Sequence, residues 1–252
     1  MNQISFKYAM AQATGTTHIE AGVRCQDAIR IATVTVSDGT SWFIAAVADG
    51  VGSAELAELG AQQAADSFVR AMAATLSEAL PGTLDMHLVA AVALARFEID
   101  LMAEVDGKNA EAYGTTLLGI ATNGERTGVV QIGDGVIVAG PDWRLLLEPQ
   151  RGEYANEATF LTCSGWKDAL QVRVIDAPLD TVVLMTDGLE EVTIRHSGPH
   201  ADFFTFVRCA LASAETTGED RALSERLRQL LDGPSVRSRT HDDTTLIAIR
   251  AE

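Results

Sequence analysis

Four aspartates constrain this chain more than any other feature of its sequence, because each stands against a hydrophobic, strand-like run. Asp49 follows Trp42-Phe43-Ile44-Ala45-Ala46-Val47-Ala48, and Asp187 follows Val182-Val183-Leu184-Met185-Thr186. Asp134 follows the run ending at Ile132-Gly133, and Asp242 precedes Thr244-Thr245-Leu246-Ile247-Ala248-Ile249. A carboxylate at the end of a buried strand is costly to desolvate unless something compensates its charge. A fold that carries these ends to one place would make a set of hard oxygen ligands, which Mg²⁺ or Mn²⁺ requires. Singly, each Asp-Gly reads as an ordinary turn, and Asp49-Gly50-Val51-Gly52-Ser53 reads equally as a glycine-rich strand-to-helix connection. No complete Gly-x-Gly-x-x-Gly and no Gly-Lys-Ser/Thr occurs, so a nucleotide-binding loop is not indicated. Together, the motifs point to a metal-dependent enzyme acting on phosphate.

The elements between these motifs come in groups. Short β-like runs are expected at 5–11, 28–36 and 42–48, with Ser37-Asp38-Gly39-Thr40 turning the last two into a hairpin. An Ala-rich helix is expected from Ser53, whose hydroxyl suits a helix start, to Leu80, where Pro81-Gly82 stops it. A second helix spans about 85–105. Strands resume at 115–121, 127–132, 136–139 and 143–147, then at 171–174 and 181–185. The stretch from Glu148 to Asp168 reads as a surface loop or flap. Helices at 201–214 and 218–231 precede a last strand at 245–250. Strict β-α-β alternation is missing, which argues against Rossmann and TIM architectures. The expected fold is α+β, a four-layer α-β-β-α sandwich of two antiparallel sheets flanked by helix pairs, built as a single domain over residues 1–252.

Charge narrows the partners. The 35 acidic and 19 basic residues give a formal net charge of -16, which argues against nonspecific binding to nucleic acid or to an anionic membrane. Bound metal ions could still reverse the local field for a phosphorylated substrate. The three cysteines (Cys25, Cys163 and Cys209) are scattered and lack Cys-x-x-Cys spacing, so neither a structural zinc site nor a disulfide framework is expected. With no apolar leader and no run of membrane-spanning length, the expected location is the cytoplasm.

Order and spacing add a resemblance that runs nearly end to end. Gly15-Thr16-Thr17-His18 leads to Cys25-Gln26-Asp27-Ala28, then come Asp49-Gly50-Val51-Gly52 and Gly114-Thr115-Thr116-Leu117. Gly133-Asp134-Gly135, Thr186-Asp187-Gly188-Leu189 and Asp242-Asp243-Thr244-Thr245 complete the series. In this order the chain resembles the metal-dependent PP2C-like (PPM family) serine/threonine phosphatases, particularly their compact bacterial members. The resemblance implies two Mn²⁺ or Mg²⁺ ions bridged by Asp49, with the Gly50 carbonyl as a further ligand and Asp187 and Asp242 on one ion. It gives Asp27 a role in the ligand and water shell, and Asp134 a share with Asp187 in a weaker third metal. Asp27, Asp49, Asp187 and Asp242 would thus carry catalysis, with a metal-bridging water attacking phosphorus in phosphoserine or phosphothreonine. A phosphorylated protein would be the substrate, within a cognate Ser/Thr kinase system.

Three positions depart from the family pattern. Gln26 stands where glutamate is common, Gly22 where many members have a phosphate-holding arginine, and Val51 where animal enzymes have histidine. Arg24 is the nearby candidate for the substrate phosphate, His18 could support the first motif, and His241 stands beside a ligand. The departures keep two alternatives open: a PP2C-fold regulatory or binding module with weak or no activity, and a phosphatase of small phosphorylated metabolites.

Overall fold

The computed structural model describes residues 4–150, 159–195, 198–214 and 217–252. Along the chain run β1 (Phe6–Ala13), α1 (Thr16–Ala21), β2 (Ala28–Thr35), β3 (Ser41–Ala48), α2 (Ala57–Ser77) and α3 (Leu84–Val105). Next come β4 (Leu117–Thr122), β5 (Thr127–Ile132), β6 (Val136–Ala139), β7 (Arg144–Leu145), α4 (Trp166–Ala169), β8 (Gln171–Ile175) and β9 (Thr181–Met185). The last third holds α5 (Glu190–Thr193), β10 (Ile194–Arg195), β11 (Gly198–Pro199), α6 (Ala201–Ala212), β12 (Gly218–Glu219), α7 (Arg221–Leu231), α8 (Pro234–Arg237) and β13 (Thr244–Ala251).

One sheet has the order β2-β3-β4-β5-β8 and the other β12-β1-β13-β9-β6-β7; β10 and β11 form a small separate hairpin. Alternation along each strand shows why they stack. In β3, Phe43, Ala45 and Val47 join Ile120, Leu184 and Ile247 in the core between the sheets. Ile44, Ala46 and Ala48 face the other way, toward Phe68 of α2 and Leu88, Val92 and Ile99 of α3. In β13, Ile247 and Ile249 point between the sheets, while Leu246 and Ala248 pack with Phe204, Val207, Leu223 and Leu227 of α6 and α7. The central strands are therefore covered on both faces, so they read as continuous apolar runs and not as alternating ones. The α-β-β-α layering is the expected one.

Several local expectations are corrected. The helix expected from Ser53 begins at Ala57, because 51–56 is occupied by a turn in which the Ala54 amide donates to the Val51 carbonyl and the Leu56 amide to that of Ala112. The helix expected from Gly218 begins at Arg221, capped by Asp220, whose Oδ1 accepts from the Leu223 amide at 2.9 Å. Gly218 and Glu219 instead pair in parallel with Lys7 and Tyr8, a local exception to antiparallel sheets. The strand expected at 143–147 keeps only Arg144 and Leu145. Of the Glu148–Asp168 flap, residues 151–158 lie outside those described, and its end forms the short α4. Among the described residues no helix is long and apolar enough to cross a membrane.

Candidate active site

Strand register brings the motifs together. Ala28 lies opposite Ala48, Ala13 opposite Thr244, Leu246 opposite Met185, and Val136 opposite Met185. Asp27, Asp49, Asp187, Asp242 and Asp134 therefore all leave their strands at the same end of the sandwich. Asp27 is buried, Asp49 and Asp187 are half-buried, and Asp242 is exposed, which grades the site from floor to mouth.

Each motif has local supports that explain its neighbouring residues. The Thr116 hydroxyl accepts from the Asp49 amide at 3.0 Å, and the Thr116 amide and Thr115 hydroxyl donate to the Asp49 carbonyl at 2.8 and 3.1 Å. The Gly50 amide donates to the Gln26 carbonyl at 3.2 Å. Thr186 links two motifs: its hydroxyl donates to Asp27 Oδ2 at 3.0 Å and accepts from the Thr245 amide at 3.1 Å.

Asp243, not anticipated as a site residue, ties the rest together. Only 3% exposed, its Oδ1 accepts from the Gly15 amide and its Oδ2 from the Gln26 amide, both at 2.6 Å. His18 Nδ1 stands 2.9 Å from the same Oδ2. Backbone packing is equally close here. A Cβ on Gly188 would lie 1.9 Å from the Asp243 carbonyl oxygen, and one on Gly15 would lie 2.5 Å from the Asp242 carbonyl carbon. The signal available in the sequence was the doubled Asp-Asp, whose second member looks redundant until its buried amide donors are seen.

The electrostatics are those of like charges held together. Burial raises Asp49 well above the usual carboxylate range, and the charges of Asp27, Asp187 and Asp242 push it further. Burial pushes Asp27 up to about 7, with Asp243 adding to the rise and the Thr245 and Thr186 hydroxyls opposing it. Asp242, although exposed as a residue at the mouth, has its carboxyl raised by partial burial and by the charge of Asp187. Cys25 is also raised, by burial and by the charges of Asp27 and Asp243, and so stays a thiol. Among the described residues no three acidic, His or Cys side chains already form a ready-made coordination shell. However, Asp27 Oδ1 and Asp187 Oδ1 are buried oxygens with no hydrogen-bond partner there, as is Gln26 Oε1. Acceptor oxygens left without donors among clustered carboxylates fit a divalent cation.

A cavity of about 620 Å³ opens beside Asp187 and Asp242. Thr17, His18, Gly52, Glu190, Arg239 and His241 line it with them. Arg24 is not among its lining residues. It is 85% exposed on its side chain and lies 3.6 Å from Glu58 of α2. The His241 ring is held by Thr16, Oγ1 to Nδ1 at 2.9 Å. Asp134, half-buried, follows Gly133, and the β6–β9 register places it at the same strand end as Asp187.

Known proteins share this architecture. Serine/threonine-protein phosphatase 3 of Escherichia coli (strain K12) is 31% identical over 254 residues, covering 99% of this chain and 100% of that protein. The catalytic domain of the serine/threonine protein phosphatase PstP, in complex with two manganese ions, superposes with a TM-score of 0.65 at 21% identity over 99% of both chains. A serine-threonine phosphatase 2C from Toxoplasma gondii gives 0.70 at 14% identity, covering 100% of this chain and 96% of that one. A family model described as protein phosphatase 2C matches residues 14–232, ending before Asp242 and Asp243, whose placement rests on the ladders above. With the matched stretch spanning most of the sequence and the curated relative aligned over its full length, this chain belongs to the protein phosphatase 2C family.

Proposed function

We propose that this chain, acting as one domain, hydrolyses phosphoserine and phosphothreonine in proteins with the help of two Mn²⁺ or Mg²⁺ ions. The observation that carries the reading is the row of Asp27, Asp49, Asp187 and Asp242, whose mutual repulsion a bound cation would relieve with the carboxylates ionised. The manganese seen in PstP supports the choice of ion. Asp49, Asp187, Asp242 and the Gly50 carbonyl would hold the pair, with Asp27 completing the shell and Asp134 and Asp187 offering a weaker third position. Once bound, the ions would neutralise the phosphoryl oxygens and lower the pKa of a nucleophilic water.

The protein's own residues supply the rest. Asp243 fixes the backbone at Gly15 and Gln26 and so orients Asp27. The Thr115-Thr116 pair fixes Asp49. The open cavity beside Asp187 and Asp242 admits a phosphorylated side chain, with Arg239 as the guanidinium on its wall. A phosphoprotein made by a cognate Ser/Thr kinase is the substrate we favour. Three free cysteines and the absence of a spanning helix among the described residues support a cytoplasmic setting.

The test is hydrolysis of a phosphothreonine peptide in EDTA, Mg²⁺ and Mn²⁺, with metal binding followed by calorimetry. Metal-dependent turnover is expected. Metal binding without peptide turnover would favour a small phosphorylated metabolite, and neither would leave a binding module.

A further inference from the structure

On α3 the apolar residues do not stop at the buried face. Leu84, Leu88, Ala91, Val92, Ala95, Ile99 and Ala103 are buried against α2 and the first sheet. On the opposite side Met86, Val89, Leu94, Phe97, Leu101 and Val105 are exposed, Met86 and Phe97 to 60% and Val105 to 77%. They recur every three to five residues, so they form one continuous outer stripe. From Met86 to Val105 the stripe runs about 29 Å along the 22-residue helix. Solitary exposed apolar side chains need no explanation, but a continuous patch of several hundred Å² on a monomer usually marks an interface.

We propose that this stripe is a homodimer interface in which the α3 helices of two copies pack antiparallel about a twofold axis near residue 95. The spacing is self-complementary about that point. Met86 of one copy meets Val105 of the other, Leu94 meets Phe97, and Leu101 meets the small Ala90, each contact occurring twice as an isologous interface demands. The same pairing sets His87 of one copy against Glu104 of the other. Two such faces together remove on the order of 1,000 Å², the lower edge of a specific interface and the size of weak, transient associations. Each copy carries a formal charge of -16. Salt must therefore tighten the dimer by screening, whereas it would weaken binding of a basic partner on the same face.

Sedimentation equilibrium across micromolar to submillimolar protein, at low and high NaCl, reads the mass directly against the 26.8 kDa chain. We expect a concentration-dependent doubling that strengthens at least severalfold at high salt. Phe97→Glu should abolish it, as should Val105→Asp at the exposed helix end, where folding is not at stake. Neither change should alter metal-dependent turnover, since neither residue touches the cavity. A mass that stays monomeric throughout overturns the proposal and leaves the stripe to another protein. A dimer that survives both substitutions, or that salt dissociates, overturns it as well.

Discussion

Removing divalent ions with EDTA leaves Asp27, Asp49 and Asp242 buried among like charges, and the pH dependence of stability should then run opposite to that of most folded proteins. Asp27 titrates near 7 in the folded chain against 3.8 when unfolded. The folded state therefore keeps the proton over a range where the unfolded state has released it. Between about pH 4 and pH 7 each step upward favours unfolding. A difference of this size corresponds to roughly 4 kcal/mol at most for Asp27 alone, and Asp49 and Asp242 are shifted in the same direction. At about 2–4 °C per kcal/mol for a chain of this size, the metal-free melting temperature should fall by on the order of 10 °C from pH 5 to pH 7.5. Asp180 acts in the opposite sense. Burial tends to raise it, but Arg208, Thr181 and Arg250 outweigh burial and hold it at about 2, so its contribution is lost only below pH 4, outside this window. Saturating Mn²⁺ should reverse the slope, because binding needs the carboxylates ionised. Calorimetric melts at several pH values, with EDTA and with Mn²⁺, read both slopes. The Asp27→Asn variant should flatten the EDTA curve. A metal-free melting temperature that rises from pH 5 to pH 7.5, or an unchanged slope in Asp27→Asn, would refute the reasoning.

Asp49→Asn and Asp187→Asn should each lower metal-dependent turnover at least a hundredfold while raising metal-free stability by about 1–3 kcal/mol through relief of repulsion, as read by activity assays and urea titration. Gln26→Glu should tighten Mn²⁺ binding severalfold in calorimetry and lower the metal-free melting temperature, since it adds a charge to the cluster; unchanged Mn²⁺ binding would remove position 26 from the site. Asp243→Ala leaves two buried amides without acceptors and should cost roughly 2–5 kcal/mol, together with a loss of metal affinity that Asp243→Asn recovers in part. Arg239→Ala should raise KM for a phosphopeptide with little change in kcat, whereas Arg24→Ala should change neither.

Much of the fold was legible because the strands are apolar on both faces and end in Asp-Gly turns; the bounds of β5, β6 and β9 coincide with the sequence reading. The start of α2 was misread because Ser53 has the chemistry of a cap, yet a local hydrogen bond to Val51 and a tertiary one to Ala112 hold 51–56 in a turn. The short α1 escaped because its six residues bury nothing and so carry no periodic signal. Within the site, carboxylates could be picked out by their place at strand ends. Asp243 could not, since its role depends on amides 217 and 228 residues away in sequence. Arg239 was hidden for a similar reason: no local pattern distinguishes an arginine on the cavity wall from one in solvent.

The central place of β13 in its sheet has a consequence for how such a chain is made. Its first-formed neighbour β1 pairs with it along eight residues, and β9 along five, so neither finds its main partner until residues 244–251 have been synthesised. The other sheet, drawn from residues 28–175, has all its strands well before then. During translation the first half-sandwich can therefore assemble while β1 waits unpaired. The aspartates at positions 242 and 243 are made just ahead of β13, so the candidate site is completed together with that sheet. A chain cut before residue 241 would keep most of its helices yet lack Asp242, Asp243 and the strand that joins β1 to β9.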